Sequence, residues 1–480
     1  MSGQRVRREP VRLWGRSLSL RSLWNSVWHL FWVSLMAMPH VSYLGLLGMV
    51  AVTARLWQRF RRSGLDRFTD GGLLLLSGLL LLSALFAYNR GEALLQLANF
   101  LPYFLFFAIL PYLLTCVERL AQIALGLILV TIPINLISLV EYIIKIPRMP
   151  RWWRHFPLFR WIRSAPHKGR AMVMFEHPNA MGSFLVLVMA LGLGLMLYRL
   201  ALDRAAQQPD VLADVLEPVD SLVSAHPPEA KSTPDLLINA LRSVPLRLIT
   251  GATLLNLLGI FCSGSRNALL LAVLQLLCFV LMVAWSNWKT VAAALGGLLA
   301  IVGGAAVAGI GGRSLDLATW ADDPRTKLWG AAVQMIGDRA SVAEQYRPWL
   351  GWGLGNYKLV YPNYLTPDLM ALSDFQGISH AHNLWLTLAV EAGIPAMLLL
   401  TLLVGRICYR GVGQFLTRNL QAPERGILFG YLVGFFSSVG FALFDVSLYD
   451  SRVNVLNWVL LAGIYRLGMR DQGSGMQDEG

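Results

Sequence analysis

The sequence predicts an all-α polytopic membrane protein of about twelve transmembrane helices, with a long ordered periplasmic loop between the ninth and tenth spans. Two observations lead there. Of 480 residues, 55% are hydrophobic and only 14% charged, against roughly a quarter charged in soluble domains. The apolar residues also fall in blocks of about 17 to 25, matching the hydrocarbon thickness of a bilayer, where a helix satisfies its own backbone hydrogen bonds.

The blocks lie near 23–39, 41–58, 71–88, 93–115, 119–144, 172–199, 246–262, 267–286, 289–311, 383–405, 424–444 and 453–469. An even number returns both termini to one side. The stretch before the first block, the link Arg55 to Arg67, the link Arg406 to Arg425 and the tail with Arg466 and Arg470 are all basic and share that side. The positive-inside tendency makes it the cytoplasm. Arg5, Arg7, Arg8 and Arg12 precede the first block with no small-residue cleavage site after it, so 1–22 reads as a cytoplasmic tail rather than a removed signal. The expected order is then spans one to six over 23–199, an insert at 200–245, spans seven to nine over 246–311, an outer loop at 312–382, spans ten to twelve over 383–470 and a tail at 471–480.

Net charge is +13, from 41 Lys plus Arg against 28 Asp plus Glu. No soluble domain is large enough to present a basic face, so nucleic acid is not an expected partner. Cys116, Cys262, Cys278 and Cys408 lie far apart in or beside apolar runs; they read as small core residues, not as a zinc site or disulfide framework. The insert is acidic and contains several prolines, as flexible linkers do. Outer loop 145–170 has eight basic residues from Lys145 to Arg170, no acid, and Trp152, Trp153, Phe156, Phe159 and Trp161 between the charges. It reads either as an anchor among membrane lipid headgroups or as a collar for an anionic headgroup or diphosphate.

Three constellations gather on the outer face: Gly169 to Asn179, the turn Ser263-Gly264-Ser265-Arg266-Asn267, and Ser379-His380-Ala381-His382-Asn383 with Glu391 two turns further in. Arg266 has apolar residues on both sides, and an unpaired charge in a membrane costs at least a few kcal/mol. It must snorkel to the interface or, with Arg170 at the mouth of the adjacent span, clamp a diphosphate with the planar guanidinium fork. His382 is the candidate proton acceptor, since an imidazole titrates near neutrality and a nearby helix N-terminus favours its neutral form. His380 is weaker. Two residues apart on a helix, the pair would face different ways with no third ligand, so no metal site is expected. Ser265, Asn383, Glu391, His380, Arg325 and Asn179 are expected to support the site. Asp445 and Asp450, in the last outer turn, could orient an arginine or cap helices, with capping the expectation, and Glu141 lies near a span end. Within the long loop, RTKLWGAAVQMIGDR from Arg325 reads as an amphipathic helix, followed by the Gly- and Pro-rich RPWLGWGLGNYKLVYPNY. An ordered loop of about 70 residues between spans is more often functional than decorative.

FEHPNAMGSF at 175–184, SGSRNALLLA at 263–272, RPWLGWGLGNY at 347–357 and HAHNLWLTLAVEAGIP at 380–395 together resemble the O-antigen ligase family, whose members also resemble O-antigen polymerases. The resemblance spans roughly 170–400 apart from the insert, with a further likeness to a cyanobacterial subgroup linked to inorganic-carbon accumulation. It implies a membrane glycosyltransferase that moves a glycan from a polyprenyl diphosphate such as undecaprenyl diphosphate to a hydroxyl acceptor. In Gram-negative cells that acceptor is the lipid A core, at the periplasmic face of the inner membrane. On matching positions, His382 would be the functional histidine of the outer loop, and Arg266 and Arg170 would hold the diphosphate. The family uses no metal, nucleotide or other cofactor. The implied reaction is a single displacement in which His382 deprotonates the acceptor.

Two rivals share these features. A polymerase uses the same donor with a second lipid-linked glycan as acceptor. A transporter, for example of bicarbonate, would want ionisable groups near mid-bilayer and paired half-repeats. Here the spans are nearly free of charge, and the two halves show no internal repeat.

Overall fold

Proline and glycine set where the long apolar runs become helix and where they stop. In the computed structural model, the described residues are 27–144, 170–207, 243–284, 324–338, 346–372, 375–417 and 420–469, with a few isolated positions besides. The first half holds Val27–Ala37 (α1), Ser42–Phe60 (α2), Arg67–Leu85 (α3), Arg90–Gln96 (α4), Leu101–Ile109 (α5), Val117–Val130 (α6) and Ile132–Ile144 (α7). The second half holds Pro178–Gln207 (α8), Leu246–Ser263 (α9), Arg266–Ala284 (α10), Pro324–Gly337 (α11), Arg347–Leu350 (α12), Tyr357–Val360 (α13), Pro367–Ala371 (α14), Leu384–Ala392 (α15), Ile394–Leu416 (α16), Ala422–Ala442 (α17) and Ser451–Gly468 (α18). A two-residue antiparallel pairing of Arg12–Leu13 with Arg16–Ser17 adds the one β contact among the described residues.

Eight helical stretches among the described residues are long and apolar enough to cross a membrane: Arg67–Leu85, Arg90–Tyr112, Val117–Ile144, Pro178–Ala205, Leu246–Ser263, Arg266–Ala284, Ile394–Leu416 and Ala422–Ala442. The chain is an all-α multi-pass membrane protein. Of the remaining expected spans, α1 has only 11 residues, and α2 and α18 are long but less apolar. The block at 289–311 falls mostly outside the described residues, as do most of the basic loop 145–170 and of the insert 200–245.

The tenth span does not run where the apolar pattern put it. The expected 383–405 breaks at Gly393, whose φ of 87° and ψ of 160° no helix accommodates. Pro395 then starts α16 at a position where its missing N–H costs nothing. The crossing helix is therefore Ile394–Leu416, and the short α15 lies before it. A Cβ on Gly393 would collide with the Trp349 carbonyl, so the break is held by a neighbouring backbone. A gentler break separates α6 from α7 ahead of Pro133, where the Thr131 hydroxyl donates to the Leu127 and Ile128 carbonyls, both at 3.0 Å.

α8 is the central helix, and it packs against α17 and α9. Small residues let the backbones close up: a Cβ on Gly194 would stand 2.6 Å from the Cα of Gly430, the close approach that van der Waals packing between membrane helices requires. Buried amides tie the bundle laterally. Asn135 donates to Asn256 at 3.0 Å, and Gln275 donates to Ser437 Oγ at 2.8 Å. At the end away from His382, Asp66 caps α3 and accepts from Arg406 at 3.1 Å and from the Tyr465 hydroxyl at 3.2 Å, locking α3, α16 and α18 together.

At the opposite end a second apolar cluster sits over the bundle. α11 forms as its amphipathic pattern predicts, burying Leu328, Ala331, Ala332 and Met335 along one face. Leu328, Ala332 and Met335 pack with Trp352, Tyr357, Tyr361, Phe375, Ala381 and Val390. This cap brings the Gly-rich stretch and the histidine segment onto the helix mouths.

Candidate active site

The site grows from four turns at one end of the bundle. The first is 170–177, shaped by a carboxylate from within the membrane bundle. Glu141 Oε2 accepts the backbone N–H groups of both Met172 and Val173 at 2.9 Å, and Val173 takes a left-handed φ of 47°. Arg452 supports the far side of this turn, donating to the Met174 carbonyl at 2.9 Å while its guanidinium lies 4.4 Å over the Phe175 ring.

This turn presents Arg170 to the second one. Arg170 Nε donates to the Ser263 carbonyl at 2.8 Å, and the Ala171 amide donates to the Cys262 carbonyl at 2.9 Å. Gly264 is left-handed with φ of 61°, and a Cβ there would press on the Arg170 side chain at 3.0 Å. Ser265 is buried and faces the first turn of α10, with its Oγ 3.5 Å from the Ala268 amide. Arg266, the first residue of α10, is exposed beside this turn. Both expected arginines thus flank one tight turn.

The third turn carries the histidines, and here the geometry corrects the expectation. His380 and His382 are not on a helix. His382 has φ of 53°, which swings its ring to the same side as that of His380, with the centroids 4.6 Å apart. Asn383 caps α15 by accepting from the Leu386 amide at 3.0 Å, and its own amide donates to the Leu443 carbonyl at 3.1 Å. That second bond draws the histidine turn onto the fourth.

The fourth turn supplies Asp445. It does not cap a helix as expected, whereas Asp450 does, accepting from the Arg452 amide at 2.9 Å. Asp445 Oδ1 lies 3.2 Å from His382 Nδ1 and 3.8 Å from His380 Nε2, and it also accepts the Val446 amide at 2.9 Å. Asp445 Oδ2 accepts from Asn179 Nδ2 at 2.7 Å, and Asn179 Oδ1 accepts from Arg170 Nη2 at 2.6 Å. An unbroken line of side chains therefore runs from Arg170 through Asn179 and Asp445 to His382.

Electrostatics follow from this packing. Burial alone would raise the Asp445 carboxyl, but the hydrogen bond and charge of His382, with His380 and Asn179, hold it below the usual carboxylate range. Burial and the neighbouring His382 push His380 down to about 4, so near neutral pH it is an uncharged ring. The donor atoms of His380, His382 and Asp445 lie within 4.8 Å of one another, close enough to share a metal ion, and Asp445 is the third ligand that the sequence did not reveal. As they stand, all three are engaged in hydrogen bonds: His380 Nδ1 accepts the His382 amide at 3.2 Å, which leaves the proton of its neutral ring on the nitrogen turned toward Asp445.

Glu391 and Arg325 stand further off. Glu391 is fully buried, accepting from the Tyr357 amide at 3.2 Å and the Tyr449 hydroxyl at 3.1 Å. Burial pushes it up to about 7, against the pull of the Gly355 and Tyr357 amides. It fastens the Gly-rich stretch to Tyr449, whose ring stacks 6.5 Å from His380. Arg325 lies one turn before Trp329 on α11, and Trp329 packs 6.5 Å from Phe444, the neighbour of Asp445. Asp445, expected to cap a helix, and Glu141, noted only as lying near a span end, are the two residues that the sequence reading left out of the site. For Glu141 the signal was an acid inside an apolar run, which in a membrane marks a function or a fixed partner.

Residues 251–401 match the sequence model of the O-antigen ligase family, so this stretch of the chain is O-antigen ligase-like. The matched stretch contains Ser265, Arg266, Arg325, His380, His382, Asn383 and Glu391. Arg170, Asn179 and Asp445 lie outside it and join the site only through the fold. No curated protein matches the chain.

Proposed function

We propose that this O-antigen ligase-like protein transfers a glycan from a polyprenyl diphosphate carrier to a hydroxyl of a second glycan, such as the lipid A core, at the periplasmic face of the inner membrane. The observation that carries the reading is the line Arg170–Asn179–Asp445–His382, which sets a cation, a buried carboxylate and a half-buried histidine at one end of the bundle.

In this reading Asp445 holds the His382 ring by Nδ1 and leaves Nε2 to accept the proton of the attacking hydroxyl. The hydroxyl oxygen bonds to the anomeric carbon as the bond to the diphosphate oxygen breaks. Arg170 and Arg266 offset the charge gathering on the departing diphosphate, where fixed donors act without reorganisation. Holding donor and acceptor at one membrane surface supplies a large part of the remaining rate. A single displacement inverts the anomeric centre.

The test is glycan transfer by purified protein in proteoliposomes, with lipid-linked glycan as donor and lipid A core as acceptor. His382→Ala is expected to lose about two to four orders of magnitude in rate, and the product anomer to be inverted. Undiminished transfer by a folded His382→Ala protein, or a retained anomer, defeats the mechanism. Growth of the lipid-linked glycan itself in place of transfer to the core would make the protein a polymerase.

A further inference from the structure

Asn179 has a place that neither the proposed reaction nor the family match assigns. Its amide joins Arg170 to Asp445, and the two bonds use opposite ends of it: Oδ1 accepts from Arg170 Nη2 at 2.6 Å, and Nδ2 donates to Asp445 Oδ2 at 2.7 Å. An amide cannot keep one of these and lose the other by turning over. A flip would set its NH2 against the guanidinium, which only donates, and its oxygen against the carboxylate, which only accepts. The backbone is equally constrained. Asn179 follows Pro178 at the start of α8, and its own amide donates to His177 Nδ1 at 3.1 Å. α8 is the most enclosed helix of the bundle, so the amide has a fixed base to pivot on.

We propose that Asn179 is a positioning residue that couples the anion-binding arginine to the base: the orientation of Arg170 on a diphosphate and the orientation of Asp445 against His382 are set together through one amide. The proposal rests on the reading of Arg170 as a diphosphate ligand. When an anion draws the guanidinium forward, the Asn179 amide and with it the Asp445 carboxylate follow, so the base is aligned in the donor-bound protein. Because coupling between sites is reciprocal, a change at Asp445 must alter anion affinity at Arg170.

The full-length protein in detergent is titrated with inorganic pyrophosphate by calorimetry, which needs no turnover. Asp445→Asn is expected to change pyrophosphate affinity by about fivefold or more in the Asn179 chain, and by less than about twofold once Asn179→Leu has removed the link. In proteoliposomes the kinetic counterpart is a KM-against-kcat split. Asn179→Asp keeps an acceptor for Arg170 but sets a second carboxylate against Asp445, so kcat falls at least about tenfold, while donor KM rises by a smaller factor because the new carboxylate pairs with Arg170. Each variant is checked for a monodisperse elution profile and an unchanged unfolding temperature, and Asn179→Gln serves as the conservative control. An Asp445→Asn effect that persists in the Asn179→Leu chain overturns the coupling. So does the absence of any effect in the Asn179 chain, or the absence of pyrophosphate binding by wild type. Failure of wild type to move glycan while pyrophosphate binding remains coupled would instead count against the proposed reaction and leave the coupling standing.

Discussion

His382 Nδ1 stands 3.2 Å from Asp445 Oδ1 across 63 residues of chain, and the left-handed φ of His382 is what lets the ring reach it. A non-glycine residue held in that region is strained by about 1–3 kcal/mol, and such strain persists only where the surroundings over-determine it. Here they do, because Asn383 fastens the same turn to the Leu443 carbonyl at 3.1 Å. Asp445→Asn keeps the shape of the side chain but exchanges a charge-assisted bond for a neutral one and removes a fixed acceptor for Nδ1–H. Glycan transfer by this variant is expected to fall by about two to three orders of magnitude, with donor KM shifted by about fivefold through Asn179. Steady-state kinetics in proteoliposomes measures both, and a rate within threefold of wild type, at roughly the scatter of such assays, would remove Asp445 from the mechanism.

Glu141 makes a separate prediction, because its partners are backbone. Met172 and Val173 are buried and both amides rely on one carboxylate oxygen. Glu141→Leu leaves two donors without that acceptor, at about 1–3 kcal/mol each, and loosens the turn that carries Arg170. The expected outcome is a lowered unfolding temperature together with a raised donor KM. Glu141→Gln retains an acceptor oxygen and should recover most of both. A Leu variant as stable as wild type would mean that the turn holds itself.

Where these residues lie explains how much could be read without a structure. The apolar blocks gave away most helices because a bilayer demands long, internally bonded segments. His382, Arg266 and Arg170 stood out because ionisable groups beside apolar runs need a reason. The tenth span was misplaced because an average over hydrophobicity runs straight through Gly393, although the Gly-Ile-Pro that follows Ala392 already carries the break. Assigning His380 and His382 to a helix made them diverge, and with them went the third ligand. Asp445 was left out of the site for a different reason: in a short turn between spans an acid looks like a cap, and Asp450 five residues later is one. Nothing local tells the two apart. The bond to Asn179 spans 266 residues and exists only once α8 and α17 have packed.

Two buried groups at the site end give opposite pH dependences. His380 falls from an ordinary 6.5 to about 4. Between those values the unfolded chain binds the extra proton, so stability is lost as pH drops from about 6.5 toward 4. Glu391 rises from an ordinary 4.5 to about 7. Its contribution is present in full below 4.5 and is lost as pH climbs through 7. Each shift is worth roughly 3 kcal/mol at its limit, and across pH 4.5–6.5 they largely cancel. His380→Gln should expose the Glu391 slope, with stability falling as pH rises, and Glu391→Gln the reverse. Thermal unfolding at half-unit steps from pH 4.5 to 7.5 reads both slopes, and two variant profiles that superimpose on wild type would show that neither group titrates with folding.

The break at Gly393 ties this end of the fold to its chemistry. The residue has φ of 87° and ψ of 160°, a region open essentially to glycine alone, and an added Cβ would run into the Trp349 carbonyl. The same stretch is pinned by the Trp352 and Gly353 amides, which donate to the Val390 and Glu391 carbonyls at 2.7 and 2.8 Å. Neither backbone can therefore yield without breaking these bonds. Gly393→Ala should cost about 3 kcal/mol or more, from backbone strain plus collision. It should also tilt α15, which begins just after the His382 turn, and lower transfer even at temperatures where the protein remains folded. Gly405→Ala is the matched control, in mid-α16 with open space around the site of the new methyl group, and is expected to be neutral or to raise stability by up to about 1 kcal/mol. Unfolding temperature and transfer rate measured on both variants separate the two cases, and a Gly393→Ala protein as stable and active as Gly405→Ala would show that the break at α15 is not what sets the histidine turn.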